Sequence, residues 1–185
     1  MQQLGTPGDC YDTPNNIFVA QFVGSPPMNL VTAKINQAGE GLELEFGGSK
    51  LAIPASVLAD RPGLKSYAGR TVALGVRSED MEDATLRPGP PGSTIKGTVN
   101  LTEALGSEIV VHFTFPGEAV VTEDTKLVAE DHAEGSLHIV ADKGVRWVAS
   151  FAPRSRVRMG DDIEIVVDVE RVHYFDAGTS EAIRG

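Results

Sequence analysis

The chain changes period along its length. Two helix starts come first. Thr6, Pro7 and Asp9 supply a hydroxyl N-cap, a proline in the first turn and a carboxylate at the third helical position. Thr13 and Pro14 repeat the first two features, and predict a second helix from about Pro14 to Val23 that stops at Gly24. On a wheel of 100° per residue, Ile17, Phe18, Phe22, Val19, Val23 and Ala20 fall at about 0, 100, 140, 200, 240 and 300°. No polar face is left for water, so such a helix is expected to be covered on most sides. After Met28 the period becomes two. Val31–Ile35, Leu42–Phe46, Leu51–Ile53, Val72–Val76, Ile95–Leu101, Ile109–Phe115, Val145–Phe151 and Ile163–Val169 each alternate apolar and other positions. That alternation predicts strands of antiparallel sheets with one buried face. From Arg171 the parity inverts and Val172 and Tyr174 become the apolar positions. A one-residue slip of this kind predicts a β-bulge or a barrel corner.

Many short strands with glycine and proline turns point to an all-β protein. The expected fold is a small barrel, OB-like or MOP-like, built from two β segments behind a helical stub. The stub and hinge occupy 1–25 and the barrel 26–185. The run Arg87–Gly92, rich in proline, divides the barrel into segments 26–86 and 93–185. Residues 117–144 read as an acidic, glycine-flanked insertion, expected to form a hairpin.

Composition narrows the chemistry. The chain has 185 residues and a formal net charge of −10. Such a charge gains no counterion release on nucleic acid, so no nucleic-acid partner is expected. Cys10 is the only cysteine, which excludes an internal disulfide and a multi-thiolate metal site. The apolar run Ile17–Val23 is too short to span a bilayer. The four histidines, His112, His132, His138 and His173, are scattered and are expected to be solvated. Glu79, Asp80, Glu82 and Asp83 read as a solvated acidic turn, without EF-hand spacing. Arg154, Arg156 and Arg158 alternate in "PRSRVR". On a strand they share one face, as a charged edge or as a surface for an anion or acidic partner. No phosphate-binding loop with its lysine and no nucleophile elbow is present. No catalytic residue, cofactor site or metal site is assigned.

Four stretches, in order, resemble one family. "QLGTPGDCYDTPNNIFVAQFVGSPPMN" (3–29) resembles the domain junction in the ATPase subunits of bacterial carbohydrate importers, the maltose/trehalose/multiple-sugar type of ABC transporter. "YAGRTVALGVRSED" (67–80) resembles a strand with a Gly-x-Arg-Pro-Glu run. It keeps Gly75, Arg77 and Glu79, with Ser78 in the proline position. "VNLTEALGSEIVVHF" (99–113) resembles a Glu-x-Leu-Gly-x-Glu segment through Glu103, Leu105, Gly106 and Glu108. "RSRVRMGDDIEIVVDVERVHYFDAGTSEAI" (154–183) resembles the closing strand and its Phe-Asp-Pro-x-Thr-Gly-x-Ala-Ile end, from which Ala177 and Ser180 depart.

The resemblance implies the C-terminal regulatory portion of such a subunit, a transport-associated OB-type domain without the Walker and signature motifs. This chain is then not an enzyme, and ATP and Mg belong to a nucleotide-binding domain outside it. Helix 14–23 becomes the last element of that domain, with Phe18, Phe22, Gly24, Ser25 and Pro26 as interdomain packing and hinge. Implied partners are a second ATPase subunit, the nucleotide-binding domain, the permease subunits and a regulatory protein, on the cytoplasmic face of the membrane. Gly75, Arg77, Glu79, Glu103, Gly106, Ser107 and Glu108 become the regulatory or interface candidates. For each a structural role stands beside the functional one: glycines serving positive-φ turns, and Arg77 paired to Glu79 or Glu103. A small-ligand sensing barrel, for a sugar or an oxyanion, is the alternative, with Trp147, Tyr174 and Tyr67 as the aromatic candidates for a sugar.

Overall fold

The structure is a computed structural model and describes residues 3–121 and 144–185. Strands β1 (Asn29–Ala38), β2 (Gly41–Phe46), β3 (Ser49–Ile53) and β4 (Thr71–Val76) come from the first β segment, as does the short β5 (Met81–Asp83). The second segment gives β6 (Thr94–Ala104), β7 (Ile109–Phe115), β8 (Val145–Phe151), β9 (Asp162–Val167) and β10 (His173–Asp176). All pairings are antiparallel. One sheet runs β10-β4-β1-β2-β3 and the other β5-β9-β6-β7-β8. Each segment therefore lends its last strand to the other segment's sheet, so neither sheet is complete alone. The insertion expected at 117–144 falls mainly on 122–143, outside the described residues.

The alternation read from the sequence becomes the barrel interior. Leu42, Leu44 and Phe46 point inward from β2, and Val111, Phe113 and Phe115 from β7. Trp147 sits at the centre with no exposed surface. Phe115 meets its ring edge-on at 5.0 Å, and its indole N–H donates to the Leu30 carbonyl. The glycine pair Gly47-Gly48, both at positive φ, makes the β2–β3 turn, where a side chain on Gly47 would collide with the Pro116 carbonyl.

Asn29, on β1, fastens the sheets together. Its amide donates to the carbonyls of Val76 and Val148, and its oxygen accepts from the Val148 N–H at 2.7 Å. Further seams run from Ala52 N–H to Gly92 O and from Thr32 N–H to Glu118 O. The result is an OB-like barrel of two curled sheets.

The parity slip near Arg171 is a corner. The chain leaves the second sheet after β9, turns through Asp168–Arg171 and enters the first sheet as β10. The bulge lies elsewhere, on β6, where the register against β7 shifts between Val99 and Leu101.

Helix α1 (Pro7–Asp12) carries the expected capping box, with Thr6 and Asp9 exchanging hydrogen bonds. Helix α2 (Ile17–Phe22) starts later than expected. Asn16, not Thr13, caps it by accepting from the Val19 N–H. Residues Asn15 to Ile17 are held by the chain's other end instead: Ile17 N–H donates to Ser180 O, and Ala182 N–H to Asn15 O. That extended pairing takes the stretch a helix from Pro14 would have used.

Candidate functional site

The sharpest polar construction in the molecule is where the helices meet the barrel. It starts from Arg77, which follows β4. Its side chain is only 2% exposed. One terminal nitrogen donates to Ala20 O at 3.1 Å and Val23 O at 2.6 Å, the other to Tyr11 O at 2.8 Å. These are carbonyls in the last turns of α2 and α1, groups that have no partner within their own helices. A guanidinium satisfies them with a planar fork and places positive charge at two negative helix ends. It also lies over the Tyr11 ring, 3.8 Å from its centroid. Burial lowers the Arg77 pKa from its ordinary value.

Gly24 makes the approach possible. It has φ 122°, and a Cβ there would stand 2.9 Å from an Arg77 nitrogen and 3.0 Å from the Tyr11 ring. The next peptide, Ser25-Pro26, is cis. Tyr11 extends the network by donating to Glu79 at 2.7 Å. Burial, and then this contact with Glu79, pushes its hydroxyl up to about 12. Arg171 closes the chain of contacts on Asp80. Asp80 is 7% exposed, and burial raises its carboxyl to about 6 against the pull of Arg171.

The sequence candidates divide into two groups. Gly75, Arg77 and Glu79 belong to this junction. Arg77 pairs with neither Glu79 nor Glu103; it serves backbone carbonyls. Gly75 lies inside β4 and is not a positive-φ turn. It is small because Met28, Phe175 and His173 close over it, leaving 2.5 Å between a would-be Cβ and the Met28 sulfur. Glu103, Gly106, Ser107 and Glu108 form the exposed β6–β7 hairpin end. Glu103 pairs there with His112 at 2.9 Å, and Gly106 does take positive φ. Among the described residues no hydrogen bond or ion pair joins the two groups.

Other expectations need correction. The acidic cluster is not a solvated turn. Asp80 and Asp83 are buried, Asp83 accepting from Thr85 and Ser155, while Glu82 accepts from the Ala152 N–H. His112 is half-buried and paired. His173 is held down to about 3 by burial and the surrounding Arg61, Arg77, Arg171 and Arg184. His132 and His138 lie outside the described residues. Trp147 and Tyr174 are core residues, 0% and 2% exposed, and the Tyr67 ring lies under Arg70 while its hydroxyl donates to Asp176, so none of these three candidates offers a free face to a sugar. Arg154, Arg156 and Arg158 stand on a loop, not a strand.

The apolar helix resolves into two sides. Ile17 and Ala20 pack on Met28, Leu30, Ala73 and Phe175. Phe18 and Phe22 stack at 5.7 Å on the opposite side, and Phe22 is 63% exposed. Among the described residues no helix is long and apolar enough to cross a membrane. No group of three or more His, Cys, Asp or Glu among them is arranged to hold a metal ion.

Residues 24–81, the span from the Gly24 turn through β4 to the start of β5, match the family model described as the MalK OB fold domain. Across 188 residues the chain is 34% identical to the trehalose/maltose import ATP-binding protein MalK of Thermococcus litoralis, covering 99% of this chain and 41% of that protein. It is 35% identical to the trehalose import ATP-binding protein SugC of Mycobacterium tuberculosis (95% and 43% covered). To the oligosaccharides import ATP-binding protein MsmX of Bacillus subtilis it is 30% identical (100% and 42% covered). Among solved structures it is similar to the cytoplasmic molybdate-binding protein ModG with molybdate bound, at 15% identity and a TM-score of 0.47, covering 79% of this chain and 94% of that one. The chain spans about two fifths of the length of the curated relatives it matches. Across nearly its whole length the chain is thus similar to about two fifths of the ATP-binding subunits of sugar ABC importers, and residues 24–81 carry the match to their MalK-type OB fold.

Proposed function

We propose that this chain is the non-catalytic regulatory and dimerisation portion of a sugar importer's ATP-binding subunit. The observation that supports it most is the two-sided α2. Its inner side is fastened to the barrel through Arg77, Ser180 and Ala182, while Phe18 and Phe22 present an apolar stack outward. An apolar side on a helix that is already fixed suits packing against the nucleotide-binding domain. The Arg77 junction then makes the barrel and that domain's last helix move as one piece, with Gly24 to Pro26 as a tight connection instead of a loose hinge.

A contact between two barrels keeps two ATPase domains at high local concentration while they open and close. It also offers a surface on which a regulatory protein favours one state. In the assembled transporter the subunit works beside permease subunits at the cytoplasmic face of the membrane. The sugar-sensor alternative loses its aromatic platform, because Trp147 and Tyr174 are buried.

The test is sedimentation velocity on this chain over a wide concentration series, with ATP hydrolysis assayed on the same material. The expected result is reversible dimer formation and background hydrolysis. A strictly monomeric chain overturns the dimerisation reading, and measurable ATP turnover overturns the non-catalytic one.

A further inference from the structure

One pocket plays no part in the function above. It lies where the segment between α1 and α2 meets α3 (Ala55–Asp60), β10 and the C-terminal residues, with a volume of about 270 Å³. That is just under the ~300 Å³ at which sites for drug-sized ligands begin, so it suits a small molecule. Four stretches line it, 12–14, 60–61, 173–175 and 182–184, which only the fold brings together. Its charged lining is Arg61, Arg184, Asp12 and Asp60, with His173 beside them.

Both guanidiniums are fixed by backbone carbonyls. Arg61 lies over the Tyr174 ring and donates to Val172 O at 2.6 Å. One Arg184 nitrogen donates to Thr13 O at 2.9 Å and to Pro14 O at 3.1 Å. Each spends a single terminal nitrogen this way, and neither makes an ion pair or a further hydrogen bond among the described residues. The remaining donors of each fork stay available. Burial lowers the Arg61 pKa, and the charge of Arg184 lowers it further, so two cations face one another with no anion between them. His173 is held flat against Phe175, their rings stacked at 6.4 Å. Its ring nitrogens have no hydrogen-bond partner among the described residues, yet they are not sealed from solvent. Burial and the charges of Arg61, Arg77, Arg171 and Arg184 keep this imidazole neutral down to about 3. In a chain of net charge −10 this is a local site of positive potential.

We propose that this pocket binds a small phosphorylated polyol, its phosphate on Arg61, Arg184 and His173 and its hydroxyls on Asp12 and Asp60. Guanidiniums already held in place lose little freedom on gripping a phosphate, and the neutral imidazole keeps an N–H to donate. The two carboxylates, both exposed, decide the class. They repel a bare oxyanion, whereas hydroxyl groups supply them with donors. The site belongs to the single chain and stands apart from the dimerisation reading. A ligand there touches the segment between α1 and α2 together with three separate parts of the barrel. It therefore favours the closed junction that Arg77 latches, by mass action.

Titrating this chain with sorbitol phosphate, inorganic phosphate and sorbitol at constant ionic strength tests it. The readouts are the His173 ring resonances in proton–carbon NMR and hydrogen exchange at the Ala20 and Val23 amides. Sorbitol phosphate is expected to shift the His173 ring saturably and to slow exchange at both amides several-fold. Inorganic phosphate is expected to bind at least about tenfold more weakly, and sorbitol not to shift the ring. Arg184→Gln, at an exposed position, and Arg61→Lys, which keeps the charge but not the fork, are each expected to weaken sorbitol phosphate at least about tenfold. Asp60→Asn is expected to narrow the gap between the two phosphates. Circular dichroism and Tm confirm that each variant folds. No saturable shift with any probe overturns the site. Binding that both arginine variants leave unchanged overturns its location. Inorganic phosphate as tight as sorbitol phosphate overturns the polyol and leaves a bare oxyanion site, and sorbitol as tight as its phosphate overturns the role of the arginines. Tight binding with unchanged exchange in α2 overturns the link to the junction.

Discussion

Replacing Arg77 by alanine is the decisive test of the junction. The guanidinium supplies three hydrogen bonds to two helix ends. Bonds from a charged donor are worth about 1.5–3 kcal/mol each, but burying the cation costs several kcal/mol in return. The net is roughly 3 kcal/mol, near the low end of what breaking a buried charged contact costs. At about 1.4 kcal/mol per decade this is about a hundredfold in an opening equilibrium. The loss should be local. Helices α1 and α2 have six residues each, far below what holds a helix alone in water. Without Arg77 they open while the barrel stays closed. Native-state hydrogen exchange reads this at the Ala20 and Val23 amides, which bond within α2 to Asn16 O and Val19 O. Both are expected to exchange about a hundredfold faster, with barrel amides such as Val111 barely changed. Arg77→Lys keeps the charge but not the fork, and should fall between. Unchanged exchange at α2 refutes the latch. Equal acceleration in the barrel refutes its independence and makes Arg77 an ordinary core residue.

Three further outcomes follow from the same geometry. Asn29→Ala removes three buried hydrogen bonds, two of them across the sheets to Val148, and should cost about 3 kcal/mol in a denaturant titration; a loss below about 1 kcal/mol would mean that the sheets need no polar fastener. Ser180 holds φ 63° where the family resemblance expects glycine, so Ser180→Gly should raise Tm by a few degrees, relieving about 1 kcal/mol of left-handed strain net of the added unfolded-chain entropy; a lower Tm contradicts this. Acidification sets two groups against each other. Asp80 is raised to about 6, so its unfavourable burial is fully present above pH 6 and is relieved as pH falls toward 4. His173 is depressed to about 3, so its contribution is present above pH 6.5 and is lost as pH falls below that. In Tm against pH from 7.5 to 4, Asp80→Asn should steepen the acid loss and His173→Gln should flatten it; shifts of the same sign would show that one assignment is wrong.

The alternation of Leu42, Leu44 and Phe46, and of Val111, Phe113 and Phe115, fixed which faces turned inward, because burial is a local choice repeated every second residue. The Thr6–Asp9 capping box was legible for the same reason, since its partners are three residues apart. The family resemblance drew attention to Arg77, Glu79 and Gly75; the structural roles set beside it, an ion pair for Arg77 and a positive-φ turn for Gly75, are not the ones these residues play. No local pattern tells an arginine that pairs with a carboxylate from one that serves carbonyls 54 to 66 residues away. Asn29, whose amide reaches Val148 across 119 residues, gave no sign at all. Asn16 displaced Thr13 as a helix cap only because the far end of the chain, Ser180 to Ala182, claimed the backbone before it. Periodicity and short motifs, which act within a few residues, decided the strands, the turns and the first helix from the sequence alone. The sharing of strands between sheets, the latch on the helices and the pocket around His173 were decided by tertiary structure, because each brings together groups that the chain keeps far apart.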